Sequence, residues 1–184
     1  MGRAAAGVGR ERILEAALDL FAVNGVAATS LQAIADRLGI TKAAIYHHFP
    51  AKDQIVVEVL RAGLAQLDEV VVEATAAPDA GTRADIVVRG LADIMVAHRP
   101  RYSIMMNDPS VGPILASDPH TARTFTRMEE ALLGPDPTAE RRLAVAFFLA
   151  ACNAPARPDL RAEESIEAAT IHASIVSLGR HLLG

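Results

Sequence analysis

Residues 31–50, LQAIADRLGITKAAIYHHFP, decide the fold. Leu31, Ile34, Ala35 and Leu38 recur at helical spacing and give the first half of the stretch one apolar face. Ala35 is small where two helices would have to approach closely. Gly39 stands just past Leu38, where a helix commonly ends in the left-handed conformation that costs glycine little. Ile40 and Ile45 then anchor a turn and a second helix, with Phe49 one turn on from Ile45. Between the anchors lie Thr41, Lys42, Ala43, Ala44, Tyr46, His47 and His48, small or polar groups suited to the base edges and phosphates of a major groove. The pattern is two short helices joined by a tight turn, a helix-turn-helix.

Residues 40–55, ITKAAIYHHFPAKDQI, resemble the recognition helix and following turn of the TetR family of one-component bacterial regulators. Upstream, RERILEAALDLFAVNGVAATSLQAIADRLG (residues 10–39) is similar to the same family's first helix and its approach to the motif. The resemblance covers residues 10–60, about a third of the chain, and does not identify a ligand. It implies an all-α fold: a three-helix DNA-binding domain (10–57), joined by a long helix to a helical effector-binding and dimerisation domain (58–184). It implies a homodimer on double-stranded, palindromic operator DNA with half-sites about 34–36 Å apart, acting as a repressor released by a small-molecule effector. A constitutive or activating regulator without an inducer is the alternative.

Composition agrees with helices packed on helices. The 184 residues are 51% hydrophobic, mostly Ala, Leu, Ile and Val, with 4% aromatic residues and no Trp. Net charge is −4, so any nucleic-acid contact has to be local. Residues 1–52 carry six basic groups (Arg3, Arg10, Arg12, Arg37, Lys42, Lys52) against four acids (Glu11, Glu15, Asp19, Asp36), the expected polarity. Cys152 is the one cysteine, which excludes an internal disulfide and a zinc-type cysteine cluster. Its place in an apolar run reads as an inert buried thiol. The longest apolar run, Leu143–Cys152, is about half of the ~20 residues a membrane span needs. MGRAAAGVGRER lacks the apolar core of a secretory signal, and a cytoplasmic location is expected. There is no phosphate-cradling glycine loop, no HExxH and no nucleophile signature, so neither an enzyme nor a cofactor or metal is implied.

Along the chain, residues 1–9 read as a flexible tail and 10–24 as an amphipathic helix ended by Asn24-Gly25. Thr29 with Gln32 reads as a capping box. A link helix is expected from about Lys52 to Thr75, starting without a Ser or Asn cap because Ala51 occupies that place. Thr82 with Asp85 would cap a helix to about His98, and Pro109, Gly112 and Pro113 make 108–117 a broken, turn-rich stretch. Asp118-Pro119 and Asp136-Pro137 read as starts of two further helices, to Leu133 and about Asn153. A last helix spans about 163–183.

Candidate DNA contacts are Thr29, Ser30, Thr41, Lys42, Ala43, Ala44, Tyr46, His47, His48 and Lys52. Lys42 and Lys52 suit phosphates, and the resemblance makes Tyr46 a phosphate contact. Adjacent His47 and His48 point about 100° apart on a helix and chelate a metal poorly. Candidate effector contacts are Leu64, Leu67, Met95, His98, Tyr102, Met105, Met106, Phe125, Met128 and Phe148, with His98 and Tyr102 as the polar pair and Asn107-Asp108 near the pocket mouth. Candidate dimer contacts, on the last two long helices, are Ala144, Phe147, Ala151, Ile166, Thr170, Ala173 and Ser177.

Overall fold

The helix-turn-helix forms because each of its ends finds a local partner. In the computed structural model, which describes residues 2–98, 108–154 and 166–184 (side chains from residue 9), Ser30 stands before helix α2 (Leu31–Leu38). Its hydroxyl accepts from Ala33 N at 3.0 Å. Gly39, at φ 65°, turns the chain left-handed and returns its N–H to the carbonyls of Ala35 and Asp36. Thr41 then caps helix α3 (Lys42–His48) by accepting from Ala44 N at 3.2 Å. Helix α1 (Gly2–Asn24) packs across α2.

Helix α4 (Lys52–Ala76) follows, uncapped at Ala51 as expected. Then come α5 (Ala80–Ala97), α6 (Val111–Ser117), α7 (Pro119–Leu133), α8 (Ala139–Cys152) and α9 (Ala168–Leu183). Among the described residues the chain is all-α, with no strand. No helix there is long and apolar enough to cross a membrane.

Two hydrophobic clusters organise these helices. The head cluster gathers Ile13, Phe21, Ile34, Ile45, Phe49, Ile55 and Val56 from α1 to α4, but also Val111 and Leu115 of α6. The body cluster gathers Leu67, Val71, Val87, Met128, Leu132, Phe148 and Ile175 from α4, α5, α7, α8 and α9. Helix α4 serves both. Asp68, midway along it, accepts from the Thr124 hydroxyl and lies 2.6 Å from His120 Nε2, tying α4 to α7. At the far end Arg141 donates to Leu132 O (2.9 and 2.6 Å) and to Leu183 O (2.6 Å), satisfying terminal carbonyls of α7 and α9.

Several expected boundaries are corrected. Helix α1 starts at Gly2, so the helix takes in residues read as a tail; the run Ala4-Ala5-Ala6 is of the best helix-forming residue. The cap of α2 is Ser30, one residue beyond Thr29, and Gln32 donates instead to Asp36 at 2.7 Å. Asp79 rather than Thr82 caps α5, accepting from Thr82 N at 2.8 Å. Residues 111–117 are helical despite Pro113, which occupies a first turn where an N–H has no helical partner. Asp118 caps α7 as expected, accepting from Thr121 N at 2.8 Å ahead of Pro119. Asp136 is left-handed (φ 49°), so the following helix is capped by Thr138. The last helix begins, within the described residues, at Ala168.

Candidate nucleic-acid interface

Helix α3 is seated by Ile45 and Phe49, both fully buried, which fixes the rotation of everything else on it. Lys42, Ala43, Tyr46 and His47 then share the exposed face, and Thr41 is exposed at its start. Tyr46 is 47% exposed, and the Lys42 ammonium lies 5.6 Å from the centre of its ring. The cation and the phenol form one polar unit. Ala43 and His47, one turn apart, are left with only small or ring atoms between the helix and solvent. Ala44 is half-buried. Ser30, at the start of α2, is exposed.

The remaining three candidates turn inwards. Thr29 is buried, and its hydroxyl donates to Gly25 O at 2.8 Å and reaches Leu20 O at 3.4 Å. Lys52 Nζ donates to the carbonyls of Val26 (2.7 Å), Thr29 (3.0 Å) and Ala27 (3.4 Å). It braces the α1–α2 loop. His48 is half-buried beside α1, its Nε2 3.4 Å from where a Cβ on Gly9 would stand. The rings of His47 and His48 diverge by 77°, and no cluster of potential metal ligands occurs among the described residues.

Behind the head, Glu58 of α4 accepts from Arg10 (2.9 Å) and from Arg61 (2.6 and 2.5 Å). Burial works against its charge, but the hydrogen bonds of Arg61 and Arg10 outweigh it and hold the carboxyl down at about 2. Arg10 also lies over the Phe49 ring at 4.8 Å. Part of the positive charge expected to face DNA is therefore engaged within the head.

Further along α4 lies a cavity of about 200 Å³. Leu64, Leu67, Met95, Phe125 and Met128 line it, together with Leu60, Leu91, Ile94, Leu115, Leu149 and Cys152. Glu129 and Asn153, which the sequence reading missed, supply its polar groups. The periodicity holds a signal for Glu129, which shares a helical face with Phe125 four residues earlier. Phe148 is fully buried and His98 stands apart from the lining, its Nε2 2.8 Å from Gln66 Oε1 of α4. Tyr102, Met105 and Met106 lie outside the described residues. A neighbouring cavity of about 590 Å³ shares Leu115, Phe125 and Glu129 and reaches Asp108. Burial pushes the Cys152 thiol up to about 12, which keeps it protonated at neutral pH.

On the outside of the body, Leu143 (56%) and Phe147 (63%) of α8 are exposed. Thr170, Ala173 and Ser177 of α9, which packs on α8, are exposed as well. Ala144, Ala151 and Ile166 are half-buried, with Ala144 and Ile166 against the body cluster.

Comparison with known proteins places the head. The sequence model for bacterial regulatory proteins of the tetR family matches residues 13–59. The HTH-type transcriptional repressor KstR2 of Mycolicibacterium smegmatis is 46% identical over 52 residues, 28% of this chain and 25% of that protein. The head, residues 13–59, is of the TetR type. The HTH-type transcriptional regulator AcrR of Shigella flexneri is 39% identical over 64 residues, 35% of this chain and 30% of that protein. The match spans about a quarter to a third of these relatives' length. The fold likeness runs further. The structure of the ketosteroid transcriptional regulator KstR2 of Mycobacterium tuberculosis aligns over 92% of both chains with a TM-score of 0.64 at 22% identity. The TetR family transcriptional regulator PfmR of Thermus thermophilus aligns over 94% of this chain and 97% of its own, with a TM-score of 0.61 at 24% identity.

Proposed function

We propose that this chain is a TetR-family transcriptional regulator that binds a palindromic operator as a homodimer and acts as a repressor released by a small-molecule effector. The observation that carries the reading is the exposed face of α3. Lys42, Ala43, Tyr46 and His47 project from a helix whose opposite side is locked by Ile45 and Phe49. Lys42 and Tyr46 suit phosphate, while Ala43 suits a thymine methyl and His47 an acceptor on a purine edge. The Ser30 and Thr41 hydroxyls accept capping bonds and keep a proton to donate to phosphate. Lys52 and Thr29 act one step back, by holding the loop before α2.

Residues 10–57 form the DNA-binding part of this reading and 58–184 the effector-binding and dimerisation part. Helix α4 couples them, because Ile55 and Val56 sit in the head cluster while Leu64 and Leu67 line the cavity. An effector in the cavity would favour a conformer whose heads no longer match successive major grooves. The lining calls for a small apolar ligand. The ketosteroid named for one structural relative is not carried over, since the 46% identity with a KstR2 spans only 52 residues and identity along the whole chain is 22%. The small volume favours one second reading, a TetR-type regulator without an inducer; titrating candidate effectors against operator binding separates the two.

The test is footprinting of the full chain on the DNA upstream of its own coding region, with a salt titration. A protected two-fold palindrome and a steep fall of affinity with salt are expected. Weak, sequence-independent binding there and across a genome-wide selection of bound fragments would overturn the reading.

A further inference from the structure

The loop between α1 and α2, residues 25–30, determines where the helix-turn-helix starts, and its backbone groups are satisfied from two directions. On one side, Lys52 of α4 donates to three of its carbonyls, as described above. On the other, a single oxygen of Asp108, Oδ2, accepts from Val26 N at 2.5 Å and Ala27 N at 3.1 Å. The second oxygen, Oδ1, accepts from Ser110 N (2.9 Å) and the Ser110 hydroxyl (2.6 Å), which fixes the carboxylate's orientation. Gly25 makes room for it. Its φ of +81° is one side chains rarely adopt, and a Cβ there would stand 3.2 Å from Asp108 Oδ2.

Asp108 is far from the head in sequence and leads directly into α6. Val111 and Leu115 of α6 belong to the head cluster, and Leu115 also lines the cavity. The carboxylate is thus the polar end of a short segment that touches both the head and the effector cavity. Head and body otherwise share α4 and the apolar packing of Phe125 of α7 against the head cluster, contacts that are non-directional and leave the head able to rock. An ionised acceptor gripping two loop amides is a strong and directional second attachment.

We propose that Asp108 is a positioning residue for operator binding: by clamping the α1–α2 loop to α6 it fixes the head's orientation on the body, and hence the spacing between the two recognition helices of a dimer. The proposal rests on the regulator reading above. It assigns Asp108 no contact with DNA. A head freed from the clamp keeps its own phosphate contacts, whereas a dimer with two loosened heads tolerates half-sites at the wrong separation. One added base pair moves a half-site by about 3.4 Å and rotates it by about 35°, so spacing is a sensitive readout.

The experiment compares wild type, Asp108→Ala and Ser110→Ala, all full-length, on the footprinted operator and on versions with one base pair added or removed between half-sites. Wild type is expected to prefer the native spacing at least tenfold. Asp108→Ala should bind the native operator about tenfold more weakly and discriminate spacing less than about threefold. Its salt dependence should be unchanged, because each head's phosphate contacts remain. Ser110→Ala, which keeps the acceptor and the backbone N–H bond to Oδ1 but loses the hydroxyl bond that also holds it, should give a smaller loss in the same direction, and it carries the test if Asp108→Ala fails to fold. A role in stability alone would lower the melting temperature and leave the spacing ratio at its wild-type value, which would overturn the proposal. A wild type that binds no palindrome would overturn the regulator reading, and this inference with it.

Discussion

Gly179 of α9 lies against Val88 of α5 with no room for a methyl group: a Cβ there would stand 2.5 Å from Val88 Cγ1 and 3.0 Å from Phe148 Cε2. Val88 is β-branched and buried, so it cannot swing away, and Phe148 is fully enclosed. Gly179→Ala should therefore destabilise the fold by about 1–3 kcal/mol through overpacking, although alanine is the better helix former. Gly112 of α6 has nothing within 4 Å of its would-be Cβ. Gly112→Ala should be neutral or stabilising by up to about 1 kcal/mol. Urea unfolding of the two variants beside wild type checks both signs.

Lys42 and His47 share a face of α3 but should fail differently when removed. Lys42→Ala loses a phosphate charge in each half-site, so affinity should fall by a similar factor on specific and unrelated DNA, and the salt slope of the dimer should shrink by about two. His47→Ala loses a base-edge group, costing about 1–3 kcal/mol per half-site and relaxing selectivity at one position in each. Binding isotherms at several salt concentrations, on operator and on scrambled DNA, distinguish the two. Equal, sequence-blind losses from both would remove His47 from base reading.

Glu58 links acid stability to the join between α1 and α4. Its folded carboxyl titrates at about 2 against an ordinary 4.5, so the fold favours the charged form. A depressed pKa contributes stability that is complete above about pH 4.5 and is lost as pH falls towards about 2. The size is on the order of 1–3 kcal/mol after allowance for Arg61, which is largely exposed. Glu58→Gln should thus be less stable than wild type at pH 7, with the gap closing as pH drops through that window. Denaturation midpoints at pH 7, 4 and 3 test the sign. A gap that stays constant with pH would mean that shape rather than charge matters at this position.

What the sequence made legible was what short-range chemistry controls. The periodicity of Leu31–Leu38, the Gly39 stop and the Ile45–Phe49 anchors specify the head almost alone, because each is satisfied within a few residues. Caps were harder. Thr29 with Gln32 read as the capping pair, but the Thr29 hydroxyl turns back to Gly25 O and Leu20 O, which leaves the cap to Ser30. Lys52 read as a phosphate contact because its partners are backbone carbonyls, which leave no mark on side-chain patterns. Asp108 was noticeable, but its grip on Val26 and Ala27 spans some eighty residues and follows no local rule. The cavity lining was half visible for the same reason: Leu64 and Met128 announce an apolar face, while nothing local says whether that face closes on protein or on space.

Phe147 carries the last prediction. It is 63% exposed on α8, with Leu143 one turn away at 56%, beside the exposed small residues of α9. Two large apolar groups this bare on one helix suit a self-complementary face, and two-fold symmetry would bury each of them twice. Burying one such side chain is worth about 1.5–3 kcal/mol, so the doubled loss in Phe147→Asp, together with the desolvation of two carboxylates, should shift the dimer to monomer at micromolar concentration. Val23→Asp is the matched control: Val23 is 82% exposed but belongs to α1 in the head, and it should leave association unchanged. Sedimentation equilibrium of wild type and both variants reads this directly. Operator affinity should fall in parallel with dimerisation for Phe147→Asp, since a monomer presents one α3 where a palindrome offers two half-sites. A variant that stays dimeric would move the interface away from α8.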